Sequence, residues 1–434
     1  MKADRCPETP PLTRRQFLKN SGLAVVAGTL AAQKAAAQSN VSPGETLRVG
    51  LVGCGGRGTG AAAQALAADP KVKLVALGDA FQDRLQGSLA TLKKQPEIAD
   101  KIDVPEAHCF VGFEAYQKVI DHSDVVLLAT PPHFRPLHLQ AAVAAGKHVF
   151  AEKPVAVDAP GVRKVLATCA EAREKKLSIV SGLAMRYSYG HRAIIKRLHE
   201  GALGEIRALQ ANDFRGPIWV KSRQAGWTEM EYHMRNWYYF TWLSGDFNVE
   251  QHIHILDLCS WIMNDEYPVR AYGTGGRQVR TGSEYGNIYD HHSVVYEYAN
   301  GAKLFAACRQ MSGCSGDISA HVLGAKGTAT LDRRGLEITA ADRWVYRGEK
   351  NNGQQTEHDE FFASIRASQP INNGEYMTKS TLLAIMGRMA TYTGQEVTWE
   401  QAMNSQEDLS PERYEWDAKP PHSTVATPGV TQLV

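Results

Sequence analysis

The run Gly53-Cys54-Gly55-Gly56-Arg57-Gly58 spells G-x-G-x-x-G directly after the apolar stretch 47–52, and few folds accept that combination. A buried strand that ends in such a turn predicts a βαβ unit. Gly53 permits the tight turn, Gly55 lets a backbone approach a pyrophosphate, and Gly58 allows close packing of the helix that follows. That helix, over 59–68, is nearly all alanine and can lie close against a sheet. Its N-terminus offers free N–H groups and a positive dipole end to phosphate, so Gly56 and Arg57 join the cofactor-binding candidates. A second strand, 72–79, ends in Asp79, placed for the ribose hydroxyls. Asp79 favours NAD, while Arg84 nearby keeps NADP open.

A second signal lies at 129–154. The apolar strand 124–129 stops at Thr130-Pro131-Pro132-His133, whose prolines hold the backbone open where the nicotinamide end of a dinucleotide is expected. Thr130, Pro131 and His133 are therefore cofactor candidates. A helix over 137–145 ends at Gly146, and the strand 148–151 delivers Glu152-Lys153-Pro154 to the same sheet edge. An amine at the carboxyl end of a parallel strand is a candidate for chemistry, and Glu152 and Lys153 join the cofactor-binding candidates.

Downstream, the chain becomes aromatic and amphipathic. If 249–262 is one helix, Glu250, His254 and Asp257 share a face at i, i+4, i+7. Arg235, Trp237 and Tyr238 precede it and suit either stacking on a sugar face or an ordinary core. His252 and His254, two residues apart, cannot both face one ion from a helix, so no metal site is expected.

The G-x-G-x-R-G turn, the A-T-P-P-H strand end and the A-G-K-H-V-F-A-E-K-P run resemble the glucose-fructose oxidoreductase, inositol dehydrogenase and rhizopine catabolism family (Gfo/Idh/MocA), from about residue 47 to the end. The resemblance implies an α/β protein: a Rossmann domain, then an α/β domain with a large, mostly antiparallel open sheet that carries the substrate pocket and usually the oligomer interface, hence a homo-oligomer. In the family a D-x-x-x-H helix works with the E-K-P lysine on a substrate hydroxyl; by that match Glu250 takes the Asp position and His254 the His position. Glu for Asp, and His252 where a small residue is common, depart from the pattern. The expected roles are His254 as general base, Lys153 as the cation holding the hydroxyl, Glu250 as their orienter and Asp257 behind them. The expected function is NAD(P)-dependent oxidation of a sugar or cyclitol hydroxyl. Two alternatives stay open: redox-neutral glycoside cleavage on a recycled cofactor, although that branch usually lacks E-K-P, and non-catalytic dinucleotide binding.

At 434 residues the chain predicts two domains, 47–160 and 161–410, with an arm over 411–434. Residues 1–37 read as a twin-arginine export signal (Arg14-Arg15-Gln16-Phe17-Leu18-Lys19, then a short apolar run), with a linker over 38–46. The expected location is therefore the periplasm or outside, without stable membrane insertion. Six Lys and Arg against two acids in that signal turn the chain's formal +2 into −2 for the remainder, which removes any electrostatic case for nucleic acid. Twin-arginine export carries folded protein with its cofactor inserted, so a tightly held cofactor recycled in place is expected.

Overall fold

The computed structural model describes residues 44–421 and 424–434. The expected export signal lies outside the described residues. These residues form one compact unit, organised around two sheets.

The first sheet is parallel, with strand order β3-β2-β1-β4-β5-β6. Its strands are β1 (Leu47–Val52), β2 (Val72–Asp79), β3 (Cys109–Val111), β4 (Val125–Leu128), β5 (His148–Ala151) and β6 (Ile179–Ser181). β4 and β5 are buried at every position, as strands covered by helices on both faces must be. The order reverses between β1 and β4, and both end at one edge beside the helix Gly56–Ala68. Gly53 takes a left-handed φ of +96° there, and a Cβ on Gly58 would lie 1.8 Å from the Gly53 carbonyl oxygen. The turn closes only with glycine at both positions.

The second sheet has nine strands: β7 (Ile206–Arg215), β8 (Arg270–Gly276), β9 (His291–Glu297), β10 (Lys303–Gln310), β11 (Asp317–Gly324), β12 (Gly327–Asp332), β13 (Leu336–Thr339), β14 (Arg343–Val345) and β15 (Val397–Thr398). Only β7 and β10 pair in parallel; the other neighbours are antiparallel. β10 alternates buried and partly exposed residues along its length, the pattern of a sheet with one face in the core. The expected fold class holds.

The expected boundary at residue 160 does not. The helix Ala159–Glu174 leads into β6, which pairs with β5, so the parallel sheet runs on to Ser181. A three-residue strand carries too little periodicity to be read beforehand. The chain also returns to the first sheet from the far end of the sequence. Ile371 accepts from the Ile179 N–H at 2.7 Å, and the helix Gly353–Arg366 packs on Gly56–Ala68, with Gln355 Nε2 donating to the Gln64 carbonyl at 3.0 Å and Arg366 paired with Asp69 at 2.8 Å. The helix Gly374–Thr393 then passes through the core, touching both the helix Ala159–Glu174 and β8. Its Arg388, 1% exposed, donates to the carbonyls of Val157 and Gly245. Among the described residues no helix is long and apolar enough to cross a membrane.

Gly58→Ala should test the turn. The clash must displace the loop from the helix, so we expect about 1–3 kcal/mol of destabilisation in chemical denaturation, together with weakened dinucleotide binding. An unchanged midpoint would show that the turn has room the geometry does not indicate.

Candidate active site

The edge where β1, β2 and β4 end opens into a cavity of about 580 Å³. Gly53, Gly55, Gly56, Gly58, Asp79, Thr130 and Pro131 all line it, as the sequence placed them. No side chain caps the helix Gly56–Ala68, and the Cβ positions of Gly55 and Gly56 face open space. An uncapped helix N-terminus behind two bare glycines fits the diphosphate of a dinucleotide. Asp79 accepts from the N–H groups of Cys54 at 2.6 Å and Phe81 at 2.9 Å, which tie the β2 end to the turn. Burial nevertheless raises its pKa above the ordinary value.

Arg57 lines the cavity as well and takes a further part. Its backbone belongs to the phosphate turn, but its guanidinium is committed to Glu152, to Glu357 at 3.2 Å and to Gln64 at 2.7 Å. It is a brace joining the turn, the E-K-P corner and the helix Gly353–Arg366. Glu152, 3% exposed, completes that brace and does not line the cavity. Burial and the neighbouring Glu152 push Glu357 well above the usual carboxylate range.

His133 is also displaced from its expected place. It does not line the cavity; its Nε2 lies 2.8 Å from the Tyr414 hydroxyl and its ring meets Trp242 edge-on at 5.0 Å. Burial lowers its pKa to about 4. The short 3-10 turn Pro132–Phe134 redirects the side chain, and His138, one helical turn on, lines the wall with Thr130 instead.

Lys153 and Glu250 meet. Lys153 Nζ donates to the Glu250 carbonyl oxygen at 2.6 Å and to Glu250 Oε1 at 2.9 Å, each side chain 11% exposed. The carbonyl is free because the expected single helix is broken. Phe247–Glu250 ends, His252 N–H reaches back to the Phe247 carbonyl in a wide turn, and Ile253–Ile262 begins afresh. His254 N–H bonds to Gln251 rather than to Glu250. The polar chain then continues beyond what the sequence suggested. Gln251 Nε2 donates to Glu250 Oε2 at 2.7 Å, Arg215 Nη1 to Gln251 Oε1 at 2.7 Å, and Arg215 Nη2 to Asp213 Oδ2 at 2.8 Å. Asp213 and Arg215 share one face at the end of β7 by the two-residue strand period, a signal legible in Asp213-Phe214-Arg215.

His254 makes no side-chain hydrogen bond among the described residues. Burial first, then the cations of Lys153, Arg215 and Arg57, hold it well below its ordinary 6.5. A neutral imidazole beside a lysine is able to accept a proton.

The break also moves Asp257 off the expected face. At 1% exposure it pairs with Arg186 at 2.9 Å and accepts from Ser380 at 2.8 Å, which makes it a structural anchor outside the site. Tyr238 is core, 2% exposed, its hydroxyl bonded to Gln310 at 2.7 Å. Arg235 lines the cavity, but near the end of β2: its guanidinium lies 4.0 Å over Phe81 and pairs with Asp83 at 3.2 Å. Trp237 lines the cavity 6.0 Å from Trp219. Lys153, Glu250 and His254 form a separate polar group beside the cavity rather than part of its lining.

The model of an oxidoreductase family with an NAD-binding Rossmann fold, GFO/IDH/MocA, matches residues 47–180, and that of the GFO/IDH/MocA C-terminal domain matches 191–330. The dTDP-3,4-didehydro-2,6-dideoxy-alpha-D-glucose 3-reductase of Actinomadura kijaniata is 28% identical over 176 residues, 40% of this chain and 46% of that protein. An inositol 2-dehydrogenase of Cereibacter sphaeroides is 27% identical over 290 residues, 66% of this chain and 74% of that protein. The crystal structure of an aldose-aldose oxidoreductase from Caulobacter crescentus, complexed with glycerol, superposes with a TM-score of 0.64 over 82% of this chain and 100% of that one; at 19% identity this is a likeness of fold.

Two outcomes follow from the geometry. With His254 held neutral at pH 7, acid should protonate it only below its ordinary value, so the acid limb of kcat/KM should lie below pH 6.5; His254→Gln should remove that limb and cost about 100-fold in turnover. An acid limb centred above pH 6.5 in the wild type would contradict the assignment. Asp257→Ala leaves Arg186 with Asp265 alone, and should cost about 3 kcal/mol in denaturant unfolding.

Proposed function

Because this chain belongs to the Gfo/Idh/MocA family of NAD(P)-dependent oxidoreductases acting on sugars and cyclitols, we propose that it oxidises a ring hydroxyl of a sugar or cyclitol on a cofactor that stays bound and passes its hydride on in place, either to a second carbonyl substrate or back to the same substrate within one redox-neutral cycle. The dinucleotide, held on the Gly53–Gly58 turn, supplies the hydride acceptor. The observation that carries the reading is the pairing of Lys153 with Glu250 beside a neutral His254. Lys153 holds the substrate oxygen and stabilises the alkoxide as it forms. His254 takes the hydroxyl proton. Glu250 fixes the ammonium by two contacts, so that its position does not depend on substrate. Arg215, through Gln251, fixes Glu250 in turn.

Residency of the cofactor is supported by the twin-arginine pattern of the N-terminal residues, since an exported enzyme meets no pool of free dinucleotide. The exposed Tyr272, Phe305 and Leu323 of the second sheet support assembly with further copies of the chain through that sheet.

The protein purified from its export compartment should release about one NAD(H) or NADP(H) per chain on denaturation, and incubation with one sugar of a panel should change the redox state of that nucleotide. Lys153→Ala should lower turnover ~100-fold or more. A protein that purifies empty and needs millimolar free cofactor would end the residency reading. Sugar turnover unchanged in Lys153→Ala would end the catalytic one.

A further inference from the structure

Residues 216–228 join the end of β7 to the helix Glu229–Arg235, and the sequence assigns them nothing. They lie against the nucleotide turn of the other domain. Trp219 and Lys221 line the 580 Å³ cavity. Lys221 and Trp227 line a neighbouring recess of about 640 Å³, which shares Gly55, Gly56, Arg84 and Arg235 with that cavity. One segment therefore covers both spaces.

Its charges are placed for a phosphate. Lys221 is exposed, and its ammonium makes no hydrogen bond or ion pair among the described residues; only its backbone is held, by Asn236 at 2.9 Å. It lines the same two spaces as the bare glycines of the uncapped helix. Arg235 behaves differently: Asp83 and Glu231 already neutralise it, and it lies 5.1 Å over Trp227, so it builds a wall. In the recess the hydroxyls of Thr59 and Ser88 sit 2.8 Å apart. A cation without a partner among the described residues, lining the same recess as a helix N-terminus, is matched by an anion lying in that recess.

We propose that this segment is a cofactor-binding strap contributed by the second domain: Lys221 holds a phosphate oxygen of the bound dinucleotide, and Trp227, backed by Arg235, covers its adenosine end and slows its release. The proposal rests on the reading of the glycine turn as a dinucleotide site and supplies a physical cause for residency. The phosphate comes either from the diphosphate, common to NAD and NADP, or from the 2′-phosphate of NADP.

The test is binding rather than turnover. The full protein, freed of nucleotide, is titrated with NADH and with NADPH by fluorescence, and release is timed by dilution into excess unlabelled nucleotide. Lys221→Ala should raise Kd roughly tenfold or more, the worth of a charge-assisted hydrogen bond. Lys221→Arg should recover most of that, and Trp227→Ala should speed release. Lys196→Ala, on a helix outside both spaces, should change neither quantity. Weakening of both nucleotides assigns Lys221 to the diphosphate; weakening of NADPH alone assigns it to the 2′-phosphate. Unchanged Kd values in Lys221→Ala for both nucleotides overturn the proposal. The ratio of variant to wild type remains readable if the wild type releases its cofactor quickly, so residency can fail while the strap stands.

Discussion

The ammonium of Lys153, held between the carbonyl and the carboxylate of Glu250, is the contact on which the site depends. It joins the end of β5 to a turn in the second domain, and neither half places it alone. The carbonyl becomes available because the helix is interrupted at Gln251 and His252, which spares it from intrahelical bonding. Helix regularity has been exchanged for an acceptor at one point, the usual setting of such wide turns. The network through Gln251, Arg215 and Asp213 then holds the carboxylate from the other side.

Charge around this contact is kept in pairs. Lys153 has Glu250, Arg215 has Asp213, and Arg57 stands between Glu152 and Glu357. His254 sits among these cations without a carboxylate hydrogen-bonded to it and is held neutral. Every cation here is paired while the imidazole is not, which leaves a neutral ring nitrogen able to accept a proton.

What the sequence showed plainly was local. The glycine turn and Asp79 are each fixed by a few consecutive residues and by the edge where parallel strands end, and they line the cavity; Lys153 follows β5 at that edge but stands outside the lining. What it concealed were directions. The face shared by Glu250, His254 and Asp257 presumed an unbroken helix, and the wide turn sends Asp257 to Arg186 instead. His133 follows a strand end as expected, but a 3-10 turn points it at Tyr414, which is 281 residues away in the chain. Arg57 sits in the phosphate loop, while its guanidinium answers to a carboxylate 300 residues downstream. Partners so distant leave no periodic trace in the residues around them.

That last distance has a consequence for how the protein is made. When the first two hundred or so residues have been synthesised, the glycine turn, β1 and β2 exist, but Glu357 does not, nor do the strand partner at Ile371 and the helix that covers Gly56–Ala68. The nascent domain has a phosphate loop whose arginine lacks its second anchor and whose outer helix lacks its cover. The brace on the phosphate turn and the cover over its helix are therefore complete only when the last third of the chain has folded back onto the first sheet.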